Sequence, residues 1–320
     1  MAAEKQDPCY LFDLEGNLED KVWDGPGGAM SMVQVPGTDG QFLSTSRFYS
    51  PNDSKDAKIV IVTPRGKGNW EIRTLVSLPH VHRFDLLSRD GDVFLIACTL
   101  KSGHDFKDDW TKPGKVYAAK LPWDLSGFNE ESQLKMTVLR DNMQKNHGYC
   151  RIQEDGYEAC LITSNEGVFR FVPPARGEER WEVKRLLAEP SSDAVLVDFD
   201  GDGRKELGVL APFHGDQIFI YKERDGAYEK VYTYAQCAPF AHAVYGGDLC
   251  GTPAFVVGHR KGERNLIAIS YDRDKGTYVS ETIDRDCGPA NVFHYVHNGK
   301  DVLVSANRET NQVAMYTLTR

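Results

Sequence analysis

The chain has 320 residues, with 38 lysines and arginines against 47 aspartates and glutamates, so its formal net charge is −9. This acidic balance argues against a dedicated nucleic-acid-binding protein, which needs a basic surface to displace counterions from phosphates. At 41% hydrophobic and 27% charged residues, the composition is that of a globular protein and excludes disordered and collagen-like chains.

The chain also lacks the signals of membrane insertion and secretion. No segment approaches the roughly 20 apolar residues that cross a bilayer, and the first eight residues are polar where a signal peptide has an apolar core. The seven cysteines are scattered and form no Cys-x-x-Cys pair, which is typical of buried thiols in a reducing compartment. The sequence therefore predicts a cytoplasmic protein without membrane contact, and it leaves the oligomeric state open.

Short runs of β-branched and aromatic residues, bounded by Gly, Asp, Asn and Pro, follow one another along the chain. Residues 9–12 and 18–23 form a spare strand or hairpin before six repeated units. Each unit has an apolar run at 42–46, 93–97, 159–163, 207–211, 254–258 or 302–306. A second run follows at 59–62, 116–120, 168–171, 217–221, 266–270 or 312–316. Most units close with an alternating run, at 70–74, 181–185, 228–232 or 278–282.

Each unit opens with a short segment after a Pro or Gly, and aligning these openings defines a repeat. One register position is occupied by Ser31, His82, His147, Asp193, His242 and Asn291, at spacings of 51, 65, 46, 49 and 49 residues. Asp193 and Asn291 fit this register with a one-residue adjustment. Repeats of roughly 40 to 50 residues with four strands each are typical of β-propellers. We therefore predict an all-β fold, a single domain over residues 1–320, and six four-stranded blades, with five or seven as alternatives. The last unit lacks an outer strand, so residues 9–23 are expected to complete it and close the ring.

One segment, Asp198 to Glu206, has the spacing of a cation-binding loop. Its carboxylates stand at Asp198, Asp200, Asp202 and Glu206, with Gly203 between them. Hard oxygen ligands that alternate along a glycine-permitted turn suit Ca²⁺. Because the loop lies between two predicted strands, it resembles the calcium loop of FG-GAP or VCBS repeats in integrin-type propellers. The alternative is an Asp/Gly-rich turn that braces the fold without an ion.

The histidines are concentrated at predicted strand ends. His80, His82, His147 and His242 lie at the starts of innermost strands, and His104, His214 and His259 lie in loops that join second and third strands. In an antiparallel blade both positions lie on the same face, so seven of nine histidines are expected at one rim of a central channel. The alternative is a set of unrelated surface histidines.

Neutral imidazoles on facing blades can hold a divalent transition metal and leave positions open for water or substrate. We expect His82, His147 and His242 to be ligands of such an ion (Zn, Mn, Fe, Ni or Co). Asp193 or Asn291 could add an oxygen ligand. His80, His104, His214 and His259 are then candidates for general acids or bases, together with Asp193.

The longest insertion, residues 99–115, lies on the same predicted face. It carries His104, Asp105, Asp108, Asp109 and Trp110, and we interpret it as a lid on which Trp110 stacks against a sugar. Arg260 and Arg308 could hold a carboxylate or hydroxyls, with Asn291 as a further substrate contact. The alternatives are a Trp that packs on a neighbouring blade and arginines that are simply solvated.

The acidic loop and the histidine positions are together similar to propeller lyases and dehydratases that act on sugars. Two families carry the resemblance: the aldos-2-ulose (1,5-anhydrofructose) dehydratases and the oligogalacturonate lyases. It implies a metal-dependent β-elimination or dehydration of a keto-sugar or uronate, with a small carbohydrate or sugar acid as substrate. A metal-dependent hydrolase, such as a lactonase or phosphodiesterase, is one alternative, because the same site can activate water. A non-catalytic binding module is the other.

Overall fold

The computed structural model describes residues 1–319, and its regular secondary structure is almost entirely β-strand. Within these residues there is no α-helix, and the one helical element is a 3₁₀ turn, Arg308–Thr310. The all-β prediction is therefore confirmed. In the same residues, no helix is both long and apolar enough to cross a membrane.

The strands, in chain order, are β1 (Cys9–Phe12), β2 (Leu18–Trp23), β3 (Met32–Gln34), β4 (Phe42–Ser46), β5 (Lys58–Pro64), β6 (Trp70–Ser77), β7 (Val81–Arg89), β8 (Asp92–Thr99), β9 (Gly114–Lys120), β10 (Thr137–Met143), β11 (Tyr149–Glu154), β12 (Tyr157–Ser164), β13 (Gly167–Val172), β14 (Glu182–Leu187), β15 (Asp193–Val197), β16 (Glu206–Ala211), β17 (Gln217–Arg224), β18 (Ala227–Thr233), β19 (Ala241–Leu249), β20 (Thr252–His259), β21 (Leu266–Asp272), β22 (Thr277–Asp284), β23 (Pro289–His297), β24 (Lys300–Asn307) and β25 (Gln312–Leu318).

Consecutive strands pair in antiparallel meanders. Four-stranded sheets are formed by β3–β6, β15–β18 and β19–β22, and β23–β25 form a three-stranded sheet. Strands β7–β10 and β11–β14 belong to one eight-stranded sheet, because β7 pairs with β12 through Arg89 and Tyr157. Inner strands such as β8 and β20 are buried along most of their length, whereas outer strands such as β14 and β18 are largely exposed. This contrast follows from the apolar and alternating runs of the sequence.

The N-terminal strands β1 and β2 pair with each other in a two-stranded sheet. Cys9 and Val22 pack there against Val60 and Val62 of β5. The pairing of residues 9–23 with the last sheet is thus not among the pairings of the described residues. Ring closure, the blade count and the single domain over residues 1–320 stay predictions.

The chain divides into two compact units. The first comprises residues 1–162 and 170–184, and the second comprises residues 163–169 and 185–320. In the second unit, a buried apolar cluster joins β19, β20, β23 and β24 through residues such as Val256, Val292 and Leu303.

Candidate functional site

A one-residue bulge occurs near the start of the first strand in three sheets. The pairing skips His82 in β7, His242 in β19 and Ala290 in β23. A bulge leaves one residue out of the ladder and re-aims its side chain, and bulges are over-represented beside active sites. Two of the predicted register histidines therefore stand at structurally equivalent bulges.

Two other residues of the predicted register, Asp193 and Asn291, do not stand at such a bulge position. Asn291 is the residue after the bulge, pairs with Ala306, and uses its exposed side chain to accept the N–H of Val292. Asp193 pairs with Leu210 directly, is buried, and accepts a hydrogen bond from Ser192. His82 and His242 are thus bulge residues themselves, whereas Asn291 pairs in the ladder just after a bulge and Asp193 begins a strand whose pairing has no bulge.

In the second unit, His214 and His242 lie side by side, with ring centroids 5.3 Å apart. His214 is stacked between Phe213 and Phe240, at centroid distances of 3.9 and 4.3 Å. Both His214 and Phe240 have positive φ, at 50° and 59°. Such backbone conformations are strained for large side chains and cluster at functional sites.

The orientation of His242 is fixed by its Nδ1, which donates to the carbonyl oxygen of Ala290 at 2.8 Å. A carbonyl can only accept, so the proton of the neutral ring is on Nδ1 and the lone pair is on Nε2. Histidines that bind metals or act as bases are held in this way by a backbone carbonyl. The geometry thus suits Nε2 of His242 for either role.

In the first unit, His82 and His147 form a second pair, with ring centroids 4.7 Å apart. Nδ1 of His82 donates to the carbonyl oxygen of His147 at 3.2 Å, so its lone pair is again on Nε2. Both rings are buried. His82 and His242 therefore have the same tautomer, and each occupies a bulge in its own strand.

The predicted acid–base residues His80 and His104 contact each other in the first unit, where His80 is buried and His104 is partly buried. Nδ1 of His80 shares a hydrogen bond with the hydroxyl of Ser54 at 2.8 Å, and the rings of His80 and His104 meet edge to face at 5.5 Å. Burial, and then the charges of His104 and Lys101, lower the pKa of His80 to about 4. His80 is therefore neutral near pH 7, and Ser54 and His80 are almost inaccessible to solvent.

Both ring nitrogens of His259 are bonded to its own loop, and its role as an acid or base stays a prediction. Its Nδ1 donates to the carbonyl of Lys261 at 2.9 Å, and its Nε2 accepts the backbone N–H of Asn265 at 3.1 Å. The ring is buried. In this arrangement neither ring nitrogen is free to contact a substrate.

Trp110 in the predicted lid contacts cations. The ammonium of Lys101 lies 4.6 Å and that of Lys145 5.8 Å from the indole centroid. Lys101 is itself buried and donates to the carbonyl of Asp109. These contacts anchor the insertion, and stacking of a sugar on Trp110 stays a prediction.

Arg260 and Arg308 share one carboxylate in the second unit. Arg260 donates twice to Oε1 of Glu309, at 2.8 and 2.7 Å, and Arg308 donates to the same oxygen at 3.0 Å. The guanidinium of Arg260 also lies 4.5 Å from the centroid of Phe240. Glu309 therefore links the predicted substrate arginines to the ring that covers His214.

The four acidic side chains of the predicted calcium loop do converge. Ligand oxygens of Asp198, Asp200, Asp202 and Glu206 lie within 4.8 Å of one another. The ammonium of Lys222 lies among them, 2.8 Å from Asp202 and 3.3 Å from Glu206. Calcium binding at this loop stays a prediction.

Two surface clefts lie away from all of these side chains. One of about 280 Å³ is lined by residues such as Arg89 and Tyr157, and one of about 480 Å³ is lined by residues such as Cys250 and Asp301. Neither contains a candidate catalytic histidine. The candidate site is therefore defined by converging side chains and not by a cleft.

Several residues of the site were missed from the sequence. Phe213 and Phe240 stand one and two residues before His214 and His242, so an aromatic residue that closely precedes a candidate histidine was an available signal. The adjacency of Arg308 and Glu309 was visible in the sequence, but no motif indicated that Glu309 also binds Arg260, 49 residues away.

No protein-family model matches the sequence, and no curated protein matches it. Solved structures do. A proposed 6-phosphogluconolactonase of Bacteroides fragilis is 15% identical, with a TM-score of 0.60, over 97% of this chain and 86% of that one. The periplasmic gluconolactonase of Pseudomonas aeruginosa is 14% identical, with a TM-score of 0.59, over 99% and 92%. The Dos1 propeller is 8% identical, with a TM-score of 0.58, over 96% and 72%.

These neighbours correct the predicted activity. Two of them are described as lactonases, which are hydrolases, so the prediction of a carbon–oxygen lyase or dehydratase is wrong. The resemblance to FG-GAP repeats and to sugar dehydratases gains no support from them. At these identities the likeness establishes the fold alone, and that fold is the all-β propeller that the sequence predicts.

Proposed function

We propose that the protein is a hydrolase of a sugar lactone or a closely related cyclic ester. The observation that carries the proposal is the pair His214 and His242, in which Ala290 holds His242 with its lone pair on Nε2. The lactonase neighbours support the same reaction class. A small carbohydrate substrate and a cytoplasmic location, both expected from the sequence, fit this reaction and stay predictions.

Lactone hydrolysis needs a base for the attacking water and a proton for the ring oxygen that leaves. Nε2 of His242 takes a proton from water as its oxygen adds to the lactone carbonyl. The resulting imidazolium keeps its Nδ1–H bond to the carbonyl of Ala290, which stabilises its charge. When the ring C–O bond breaks, the leaving oxygen takes a proton from His242 or His214, and the product is a hydroxy acid.

Metal assistance stays a proposal from the sequence, with His82, His147 and His242 as ligands. The donor type fits, because His82 and His242 each donate Nδ1–H to a backbone carbonyl and so direct Nε2 as the ligand atom. A divalent transition metal held by imidazoles would polarise the lactone carbonyl and lower the pKa of water. Nε2 of His242 would then bind the ion, and His214 would remain for proton transfer.

The test measures the rate at which the protein hydrolyses glucono-1,5-lactone and its 6-phosphate. The rate is monitored as release of acid in weak buffer, and the spontaneous rate is subtracted. We expect acceleration by the wild-type protein, its loss in His214→Asn, and its retention in His297→Ala. Asparagine is chosen at position 214 because it tolerates positive φ. Elemental analysis, and assays after chelation and metal return, decide whether an ion takes part. Failure of the metal-supplemented wild-type protein to accelerate either lactone would overturn the proposal.

A further inference from the structure

The loop from Asp198 to Glu206 is organised by its own carboxylates. The two oxygens of Asp198 accept the N–H groups of Gly201 and Gly203, at 2.8 and 3.0 Å. Both glycines have positive φ, at 73° and 86°, which side chains rarely adopt. Oε2 of Glu206 reaches back to the N–H of Phe199 at 2.8 Å. The turn therefore directs its remaining carboxylate oxygens toward a common centre.

Lys222 of β17 supplies the positive charge at that centre. Its ammonium forms ion pairs with Asp200, with Asp202 at 2.8 Å and with Glu206 at 3.3 Å. A lysine ammonium is a compact charge with three donors, so one group can serve three carboxylates. Lys222 thereby joins the loop that precedes β16 to β17, the strand that follows β16.

The charges in this cluster depend on one another. Glu206 is fully buried, and burial raises its pKa above the usual value of 4.5. Burial opposes ionisation of Lys222, but its hydrogen bonds to Asp200 and Asp202 outweigh that effect and raise its pKa. Removal of the ammonium would leave four neighbouring carboxylates, one of them buried, without a cation inside the cluster.

We propose that Lys222 is the built-in cation of this loop and takes the position that a calcium ion occupies in loops of similar spacing. The chain then braces β15, β16 and β17 without a metal. The inference is independent of the hydrolase activity, because it concerns different residues and a different observable. The ion pairs of Lys222 then do in this loop what a bound calcium ion would otherwise do.

The first test compares thermal midpoints of the wild-type protein and Lys222→Met in EDTA and in millimolar Ca²⁺. We expect the wild-type midpoint to be the same in both. Lys222→Met should melt lower in EDTA by roughly 5 °C or more, and it should recover with Ca²⁺ but not with Mg²⁺. Arg224→Met, on the same strand, removes a charge whose ion pair with Glu229 is exposed, and it should behave like the wild-type protein.

Three outcomes would overturn the proposal: Lys222→Met melts with the wild-type protein in EDTA, Ca²⁺ does not restore it, or Ca²⁺ raises the wild-type midpoint as much as that of the variant. A second measurement covers a variant that does not fold. Reductive methylation of the native wild-type protein, followed by peptide mass spectrometry, should spare Lys222 in EDTA and in Ca²⁺ while exposed Lys275 reacts. Equal reaction of Lys222 and Lys275 in either condition would also overturn it.

Discussion

Nδ1 of His242 lies 2.8 Å from the carbonyl oxygen of Ala290, and both residues occupy the bulge at the start of their strand. This bond predicts the behaviour of His242→Asn. The asparagine amide can still donate to Ala290 but offers no basic nitrogen, so the fold should be kept and lactone hydrolysis should fall by roughly 10²-fold or more. Thermal unfolding and initial rates measure the two effects.

His297→Asn is the matched control for this variant, because its ring contacts Asn298 and lies outside the proposed site. It should retain the wild-type rate. A His242→Asn protein with the wild-type rate would show that Nε2 of His242 has no part in the reaction.

The strands and their order could be predicted because alternation and turn residues are local signals. The clustering of His82 and His242 at strand starts was visible for the same reason. The one-residue adjustment of Asp193 and Asn291 was visible too, but the bulges at His82 and His242 were not, because side chains alternate across a strand and an unseen bulge reverses the face. The contacts of Lys222 with the acidic loop and of Glu309 with Arg260 were also out of reach, since they are set by the packing of neighbouring strands and loops.

Glu309 should stabilise the fold through Arg260 and Arg308. Burial opposes its ionisation, but the two guanidinium groups outweigh burial and lower its pKa below 4.5. Because the folded-state pKa is lowered, this contribution is present above pH 4.5 and is lost as the pH falls through the folded-state value. At pH 7, Glu309→Gln should lower the free energy of unfolding by about 2 kcal/mol.

Urea unfolding between pH 7 and pH 3 tests this expectation, with exposed Glu281→Gln as the control. The difference between Glu309→Gln and the wild-type protein should shrink as the pH falls. A difference that is constant with pH would rule out the ion pairs as its cause.

His80 should make the protein sensitive to mild acid. Its pKa is lowered from 6.5 to about 4 in the folded state, so between these values the unfolded chain binds more protons. Stability is therefore lost as the pH falls from about 6.5 toward 4. His80→Asn removes the titrating group and tolerates the positive φ of this position, 63°.

Between pH 7 and pH 5, we expect the free energy of unfolding to fall by at least about 1 kcal/mol more in the wild-type protein than in His80→Asn. Urea unfolding at the two pH values measures this, and His297→Asn provides the comparison for loss of an imidazole elsewhere. Parallel losses in the wild-type protein and His80→Asn would show that His80 is not the acid-sensitive group.

A variant of His259 tests whether this histidine has a structural or a catalytic role. Its two nitrogens bond the backbone of Lys261 and Asn265, so His259→Ala leaves the Lys261 carbonyl and the buried N–H of Asn265 without these partners. The free energy of unfolding should fall by about 1–3 kcal/mol, while kcat per folded molecule and its pH profile stay at wild-type values. Unfolding curves and rates at a temperature where the variant is fully folded measure both quantities. A large fall in kcat with unchanged stability would support the acid–base role that the sequence indicated for His259, because a group bonded only to its own loop cannot affect the reaction without affecting that loop.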